Sequence, residues 1–398
     1  MRKSGLKRLY LIPVLSKALD VLDLLQKGGQ PLSLESIFQQ TNISKTTVYR
    51  ILKTFVHRGY LAQSDDGLYR MVARLKKAKF GFGGQSAELP FSNAVTDSLK
   101  AAASSAGVDL LVLDNRYSGS AALHNADELI CQRVDVVIEF QIDQHSAPII
   151  ADRFEGAGIP FIAVDIPHPH AIFFGVNNYR VGFEAGTFVA KHSSKVWDGK
   201  IPLVLGLDVE EAGPLVQSRI TGAFEGIRSV FPGIDDSHFL RLDGRGLREK
   251  SYRVVLEFLN HHPKDQRILI VAATDTSALG ALHATQELRR EKHVAIVGQE
   301  AIPEAVEAMR IPGSPFIGSV SHEAHTYGPR LIQLGLALLN GQRVPPYSYV
   351  DHKLVTAASV REAHGSDYQH ARRYASVAKR YGISNGRASN FLLEDFSA

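Results

Sequence analysis

The sequence contains 398 residues, 44% of them hydrophobic and 22% charged, so it can build two or three domains around separate cores. It holds no run near the roughly 18 apolar residues of a membrane span. Its first residues lead into an amphipathic pattern unlike a signal peptide, so we expect a cytoplasmic protein with no membrane partner. The single cysteine, Cys131, excludes an internal disulfide and a cysteine-cluster zinc site and fits a reducing compartment.

Charge is distributed unevenly along the chain. Residues 1–78 hold 14 Lys/Arg and five Asp/Glu, a net charge of +9, so the remaining residues carry −5 to give the total of +4. A basic segment before a mildly acidic body indicates a polyanionic partner for the first part alone.

Three helical patterns fill the basic segment. Residues 13–29 read as a helix with a Leu/Val stripe, and a shorter helix begins at Ser33. The turn 41–44 leads directly into a third helix over residues 44–59, as in a helix-turn-helix. One face of this third helix is apolar. Hydrogen-bonding residues occupy the other face: Lys45, Thr46, Thr47, Tyr49, Arg50 and Lys53.

The ends of the third helix also carry signals. Ser44 is a candidate N-cap and Gly59 a candidate C-terminal stop, so the electropositive start of the helix would be presented together with its donors. Taken alone, the pattern could equally be an amphipathic surface helix with a solvated basic side. Two short strand patterns flank the Asp-Gly turn at 64–67, however, and three helices with such a hairpin predict a winged helix.

This part of the sequence resembles the N-terminal domain of the IclR family of bacterial regulators. The resemblance is carried by residues 15–20, 32–37, 44–52 and 58–61, which read LSKALD, LSLESI, SKTTVYRIL and RGYL. It implies that the third helix faces the major groove and its phosphates, with the wing on the neighbouring backbone. The implied DNA-contacting residues are Ser44, Lys45, Thr46, Thr47, Tyr49, Arg50, Lys53 and Arg70.

From residue 80 onward, short β-branched runs alternate with helical stretches, which predicts βαβ units, parallel sheets and an α/β fold. Strands are predicted at 80–84, 109–113, 135–139, 160–164, 201–206, 237–241, 268–273 and 294–298. Helices are predicted at 92–106, 182–193, 215–230, 249–261, 277–289 and 302–309. Roughly equal halves on either side of residue 195 predict two Rossmann-like lobes with a ligand between them at the carboxyl ends of the strands.

Polar residues follow several of these strands, and here the sequence resembles type I periplasmic sugar-binding proteins, especially the ribose-binding kind, and the effector domains of LacI-type repressors. The matching stretches are residues 107–114, 158–165, 175–178, 219–222, 272–280 and 297–300. The resemblance implies that Asp165, Arg219, Asp275 and Glu300 hydrogen-bond sugar hydroxyls, since carboxylates accept and guanidinium groups donate. It further implies polar contacts from Gln85, Gln141, Asn178 and His322, and stacking of Phe91 on the apolar face of the sugar ring.

Each of these residues also has a structural explanation when taken singly. Asp165 could cap a turn, Arg219 could form a surface ion pair, and Asp275 could be the N-cap of the next helix. The sequence departs from the ribose-binding pattern at Ile166, where those proteins place an arginine, and at Ser92, where they place a second aromatic residue. Ribose itself is therefore disfavoured.

Other motifs do not indicate an enzyme or a cofactor. Residues 81–84 (GFGG) lack the spacing of a phosphate-binding loop. His168 and His170 have no acidic or cysteine partner at metal-ligand spacing, which favours a loop over a metal site. No nucleophile elbow is present, so we expect no catalytic residues.

The domain boundaries predicted from these patterns are 1–72 for the winged helix, 73–79 for a basic linker and 80–357 for the sugar-binding part. Residues 358–398 are predicted to form a helical extension. Their spacing around 376–392 resembles a LacI-type headpiece, but a helical cap or dimer contact is the alternative that the short length favours.

Together these patterns predict a transcriptional regulator that binds double-stranded operator DNA as a homodimer and responds to a sugar or related polyol. The alternative is a periplasmic-type sugar receptor for an ABC transporter, which would leave the winged helix unexplained. A sugar-modifying enzyme is the third alternative and lacks a catalytic motif.

Overall fold

The computed structural model describes residues 12–28, 30–64, 66–71, 77–356 and 359. The chain divides after Lys77 into two compact units, which are described separately. Most of the predicted basic linker and all of the predicted C-terminal extension except residue 359 lie outside the described residues. Within the described part, no helix is both long and apolar enough to cross a membrane.

The smaller unit contains three helices and a two-stranded wing. Its elements are α1 (Pro13–Gly28), α2 (Leu34–Gln40), α3 (Lys45–His57), β1 (Leu61–Gln63) and β2 (Tyr69–Met71). The two strands are antiparallel, with Ala62 opposite Arg70. A core that includes Val21, Ile37 and Leu52 lies between the helices and the wing. This arrangement is the one predicted from the sequence.

Local sequence signals fix the ends of these helices. The Ser33 hydroxyl accepts a hydrogen bond of 3.1 Å from the Ser36 amide and so caps α2. Helix α3 is followed by Gly59 at φ +72°, and the amide of Tyr60 donates to the carbonyl of Phe55 at 2.8 Å, as in a Schellman motif. Gly59 therefore acts as the predicted stop.

The larger unit alternates strands and helices from residue 79. Its first segment comprises β3 (Lys79–Gly84), α4 (Pro90–Ala106), β4 (Asp109–Asp114), α5 (Gly119–Cys131), β5 (Val136–Glu139), α6 (Ala147–Gly156), β6 (Phe161–Val164) and β7 (Ile172–Gly175). The second comprises α7 (Asn178–Val196), β8 (Leu203–Asp208), α8 (Pro214–Arg228), β9 (Phe239–Asp243), α9 (Arg248–Asn260), β10 (Ile268–Ala272), α10 (Asp275–Glu287), β11 (Val294–Glu300), α11 (Pro303–Arg310) and β12 (Phe316–Ser321). Then follow α12 (Tyr327–Leu339), β13 (Tyr347–Tyr349) and β14 (Lys353–Thr356).

Two six-stranded sheets form the two lobes of this unit. The first sheet has the order β4-β3-β5-β6-β7-β13 and is parallel throughout. The second has the order β9-β8-β10-β11-β12-β14, in which only β14 is antiparallel. The predicted two-lobed α/β fold is confirmed.

Both faces of the first sheet are covered, which explains why its strands are continuous apolar runs. On β5, Val136 and Ile138 belong to the core shared with α4, whereas Val137 packs with Leu129 of α5 and Phe154 of α6. Helices α7 and α8 pack together on the second sheet, and α9 packs with α10. Proline at the first turn of α4, α8 and α11 fixes where those helices begin.

The division into two halves near residue 195 is wrong in detail, because the chain passes between the lobes three times. It leaves the first sheet after Gly175, returns between Ser321 and Tyr327, and crosses again between Tyr349 and Lys353. Helix α12 and strand β13 thus complete the first lobe. Strand β13 has only three residues, two of which are exposed, so it contains no apolar run from which a strand could be predicted.

Candidate functional site

The first candidate surface is the polar face of α3. Ile51 and Leu52 are buried, while Lys45, Thr46, Tyr49, Arg50 and Lys53 are exposed and Thr47 is half-buried. The predicted core face and donor face of this helix are therefore separated as the periodicity requires. Arg70 of the wing is also exposed.

Several of these side chains are held by neighbours. Lys45 pairs with Glu35 of α2, and Lys53 donates to Gln63 of β1 at 3.0 Å. The Arg50 side chain forms no hydrogen bond or ion pair with any described residue, so its guanidinium is free to bind an anion.

The predicted cap at Ser44 is only partly correct. Ser44 precedes α3, but its hydroxyl bonds to the Thr47 hydroxyl at 2.8 Å and accepts no backbone hydrogen bond. The first amides of α3 are therefore without a side-chain cap from this residue, which leaves them available to a phosphate.

The second candidate site is a narrow cavity of about 40 Å³ between the two lobes of the larger unit. This volume is below the ~300–1,000 Å³ typical of small-molecule sites, so the lobes must move apart to admit a ligand. Five of the nine predicted ligand residues line it: Gln85, Phe91, Asp165, Arg219 and Glu300. They come from both lobes. Asp165 directly follows β6, Arg219 lies within α8, and Glu300 is the last residue of β11.

The two carboxylates of the cavity stand on unusual backbone. Asp165 has φ +60° and Glu300 has φ +99°, and neither residue is a glycine. Such conformations cost of order 1–3 kcal/mol each and are concentrated at functional sites. Both strands therefore end in a backbone conformation that is unfavourable for a residue with a side chain.

Asp165 is buried but incompletely satisfied. It is 6% exposed, and its Oδ1 has no hydrogen-bond partner among the described residues. Burial raises the pKa of Asp165 to about 6, against the opposing influence of Arg219 and of a backbone hydrogen bond from Val176. A buried acceptor of this kind is costly unless a ligand donates to it.

Arg219 is held in place by two bonds. Its Nε donates to Asn178 Oδ1 at 2.6 Å and its Nη1 donates to the Ala273 carbonyl at 3.0 Å. The close approach of α7 and α8 makes this possible, because a Cβ at Gly182 or at Gly222 would clash with the backbone of the facing helix. Asn178 is therefore placed beside the cavity, where it orients Arg219.

The other predicted ligand residues lie next to the cavity without lining it. Asp275 is fully buried and accepts hydrogen bonds from Ser319 Oγ at 2.7 Å and from the Ile302 amide at 2.9 Å. The amide group of Gln141 bonds within its own loop, to the backbone of Asp143.

His322 is also fully buried beside the cavity. Its Nε2 lies 3.0 Å from Gln299 Oε1, and burial holds the pKa of the imidazole well below its usual range, so the ring is neutral. Its Nδ1 has no partner among the described residues. The ring packs edge-to-face against Phe91 at 5.7 Å and so supports the wall of the cavity.

The sequence did not single out four polar residues of this region. Tyr117, Thr274 and Thr276 line the cavity. Thr274 and Thr276 flank Asp275, the predicted ligand residue. The residues that line the cavity at this strand end are therefore one position away from the predicted one. Glu139, the last residue of β5, is fully buried beneath the cavity region, and burial raises its pKa to about 8. It lies within an apolar run, which is the signal that could have identified it.

Two contacts cross the mouth of the cleft. The Tyr117 hydroxyl donates to the Arg245 carbonyl at 2.7 Å, and the Gln144 amide donates to the Glu211 carbonyl at 3.0 Å. Each joins the first lobe to the second on the side away from the three crossings. The structure is therefore a closed form of the larger unit.

Comparisons with known proteins assign both parts of the chain. The family of IclR helix-turn-helix domains matches residues 14–65, and the family of periplasmic binding protein domains matches residues 80–343. No curated protein matches the chain.

Several solved structures share the fold of the larger unit. An ABC transporter periplasmic solute binding protein from Actinobacillus succinogenes 130z, with bound D-allose, is 20% identical and covers 72% of this chain and 100% of its own, with a TM-score of 0.64. A protein from Mycobacterium smegmatis in complex with β-D-fucofuranose is 23% identical over 74% of this chain and 96% of its own, also with a TM-score of 0.64. A solute binding protein from Bacillus halodurans C-125, with bound myo-inositol, is 20% identical over 73% of this chain and 98% of its own, with a TM-score of 0.62.

Proposed function

We propose that this chain, which belongs to the periplasmic binding protein domain family, is a cytoplasmic transcriptional regulator whose operator binding is controlled by a sugar or small polyol held between its lobes. The observation that carries the proposal is an enclosed cavity with a buried, unsatisfied carboxylate, in a chain that also presents an exposed helix of the IclR helix-turn-helix type. Neither feature alone would distinguish a regulator from a transport receptor.

The cavity chemistry suits a polyhydroxylated ligand. Asp165 and Glu300 offer acceptors, Arg219 offers the three N–H groups that it does not use within the protein, and Thr274 and Thr276 can act as either. Phe91 supplies an apolar wall on which a sugar ring can pack. The proposal assigns direct contacts to Gln85, Phe91, Asp165, Arg219 and Glu300. Asn178, Asp275, His322 and Gln141 would act through the residues that they hold in place.

The ligand would act by stabilising the closed form. Closure brings Tyr117 onto Arg245 and Gln144 onto Glu211, whereas an open form would lose both bonds. In a homodimer, such a shift changes the relative placement of two recognition helices on a palindromic operator. A coupling free energy of about 1–3 kcal/mol would alter operator occupancy severalfold or more.

DNA recognition would rest on the exposed face of α3. Arg50 and Lys53 would contact phosphates or base edges, with Ser44, Lys45, Thr46, Thr47 and Tyr49 alongside and Arg70 on the adjacent backbone. The proposal includes no catalytic step and no cofactor.

The test measures binding of the full chain to the DNA upstream of its own gene. Fluorescence anisotropy of labelled DNA gives the affinity at two salt concentrations. We expect specific, salt-sensitive binding that Arg50→Ala weakens, because each phosphate contact releases counterions. Arg253→Ala serves as the control, since Arg253 is an exposed cation on α9 whose ion pair is with Glu249 of the same helix. Binding that does not depend on DNA sequence, or that Arg50→Ala leaves unchanged, would overturn the regulator and favour the transport receptor.

A further inference from the structure

The charges that line the cavity do not balance. Its described lining contains two carboxylates, Asp165 and Glu300, and one cation, Arg219. The position after Asp165 is Ile166, which is 2% exposed and also lines the cavity, so no second cation stands beside that carboxylate. In a closed cavity such an excess of negative charge is costly, because water is too scarce to screen it.

The single arginine is partly used by the protein itself. Its Nε–H and one Nη1–H donate to Asn178 and to the Ala273 carbonyl, so three of its five N–H groups remain for the cavity. Within the part of the chain that the structure describes, neither Asp165 nor Glu300 forms an ion pair, and Asp165 Oδ1 has no hydrogen-bond partner. Asp165 Oδ1 therefore awaits a donor that the described residues do not supply.

The environment of the two carboxylates disfavours their ionisation in the absence of a cationic ligand. Burial, and then repulsion by Asp275 and Asp165, hold the pKa of Glu300 well above its usual range even though Arg219 opposes the shift. The cleft mouth adds no compensating charge, because Arg245 there pairs with Glu211. Both carboxylates are also fixed on backbone of positive φ, which keeps them turned toward the same region at a cost in conformational energy.

We propose that the ligand carries a positive charge, and specifically that it is an amino sugar whose ammonium group lies between Asp165 and Glu300. An ammonium group donates up to three hydrogen bonds and accepts none, which matches the unsatisfied Oδ1 of Asp165 and a second carboxylate in the same lining. The remaining hydroxyls face Arg219, Gln85 and the two threonines, and the ring lies against Phe91. This inference rests on the proposed sugar-sensing function and narrows its ligand class.

The test compares matched sugars that differ at one substituent. Isothermal titration of the full chain at pH 7 is run with D-glucosamine, D-galactosamine and D-mannosamine, each beside the corresponding hydroxy sugar and the corresponding N-acetylamino sugar. The N-acetyl form keeps the nitrogen but removes the charge. We expect at least one amine to bind tenfold or more tightly than both of its neutral counterparts, a difference of about 1.4 kcal/mol.

Variants of the cavity separate charge recognition from general damage. Asp165→Asn and Glu300→Gln keep the side-chain shape and remove the charge, so each is expected to reduce the amine-to-hydroxyl preference at least threefold. Asp127→Asn is the control, because Asp127 forms an exposed ion pair with Arg153 on the outside of the first lobe.

The outcomes separate this inference from the function on which it rests. A neutral sugar that binds at least as tightly as its amine would overturn the cationic ligand and leave sugar sensing intact. An amine preference that survives both cavity variants would also overturn it, because the selectivity would then lie elsewhere. Failure of every amine, hydroxy and N-acetyl sugar to bind would overturn both proposals.

Discussion

Asp165 and Asp275 each come after a buried strand of their own lobe, β6 in the first sheet and β10 in the second, yet their surroundings differ completely. Asp275 accepts hydrogen bonds from Ser319 and Ile302 and does not line the cavity. Asp165 lines the cavity with one oxygen unsatisfied. A buried carboxylate can thus hold a lobe together or await a ligand, and the donors around it decide which.

The two aspartates also differ in how their backbone is used. Asp275 begins α10, where a carboxylate is favourable, and its side chain ties that helix to β12 and to the loop after β11. Asp165 adopts a left-handed conformation instead of starting a helix. Two residues of the same type thus have different roles, Asp275 in stability and Asp165 at the cavity.

The largest effect on stability is expected from substitution of Asp275. Asp275→Ala would leave the Ser319 hydroxyl and the Ile302 amide buried without an acceptor, so we expect the free energy of unfolding of the larger unit to fall by about 2–5 kcal/mol. Urea denaturation of the full chain, followed by circular dichroism, measures it. An unchanged unfolding midpoint would contradict the structural role given to Asp275.

The matched change at Asp165 is expected to act on binding. Asp165→Asn would remove a charge-assisted acceptor worth about 1.5–3 kcal/mol and so weaken ligand binding more than tenfold. Its stability at pH 7 should be equal to that of the parent or higher, because an unpaired buried charge is removed. Thermal unfolding with and without ligand gives both values. A loss of stability comparable to that of Asp275→Ala would contradict the different roles given to the two aspartates.

A third test moves the Asp165 carboxylate without changing it. A Cβ at Gly175 would clash with Asp165 Oδ1, so Gly175→Ala should displace the carboxylate and cost about 1–2 kcal/mol of ligand affinity through local overpacking. Gly156→Ala is the control, because a Cβ there meets no atom within 4 Å. Titration calorimetry should show weaker binding for Gly175→Ala alone; equal affinities would place the ligand away from this oxygen.

Glu139 is intermediate between Asp275 and Asp165, because only one of its carboxylate oxygens is satisfied. Its Oε1 accepts a hydrogen bond from Asn115 at 2.8 Å, and its Oε2 has no partner among the described residues. Burial raises its folded-state pKa to about 8, above the ordinary value of 4.5, so the folded protein keeps a proton that the unfolded chain releases. The stabilisation is complete below pH 4.5 and is lost as the pH rises through 8, by at most about 1.4 kcal/mol per pH unit.

Glu139→Gln keeps the acceptor for Asn115 and cannot ionise. The free energy of unfolding of this variant should therefore exceed that of the parent by a margin that grows between pH 5 and pH 8. Urea unfolding at three pH values measures the margin. A margin that does not change with pH would mean that Glu139 does not titrate in this window.

Regular periodicity made the fold and the recognition helix predictable from the sequence. Alternating exposure on α3 and apolar runs at β5, β6 and β10 are local patterns that the sequence shows directly. The cavity depends on which strand-end side chains face inward, and that is decided by backbone turns such as the positive φ at Asp165 and Glu300. Hence Thr274 and Thr276 were missed while Asp275, one position away, was assigned to the ligand.

The three crossings between the lobes also determine the order in which the chain can fold during synthesis. The first lobe lacks an edge strand and a covering helix until residue 349 has been made, because β13 and α12 follow most of the second lobe. The smaller unit is complete by residue 71. A ribosome-bound chain can thus hold a finished helix-turn-helix unit long before either lobe of the larger unit is complete, since domains fold as units from the N-terminus.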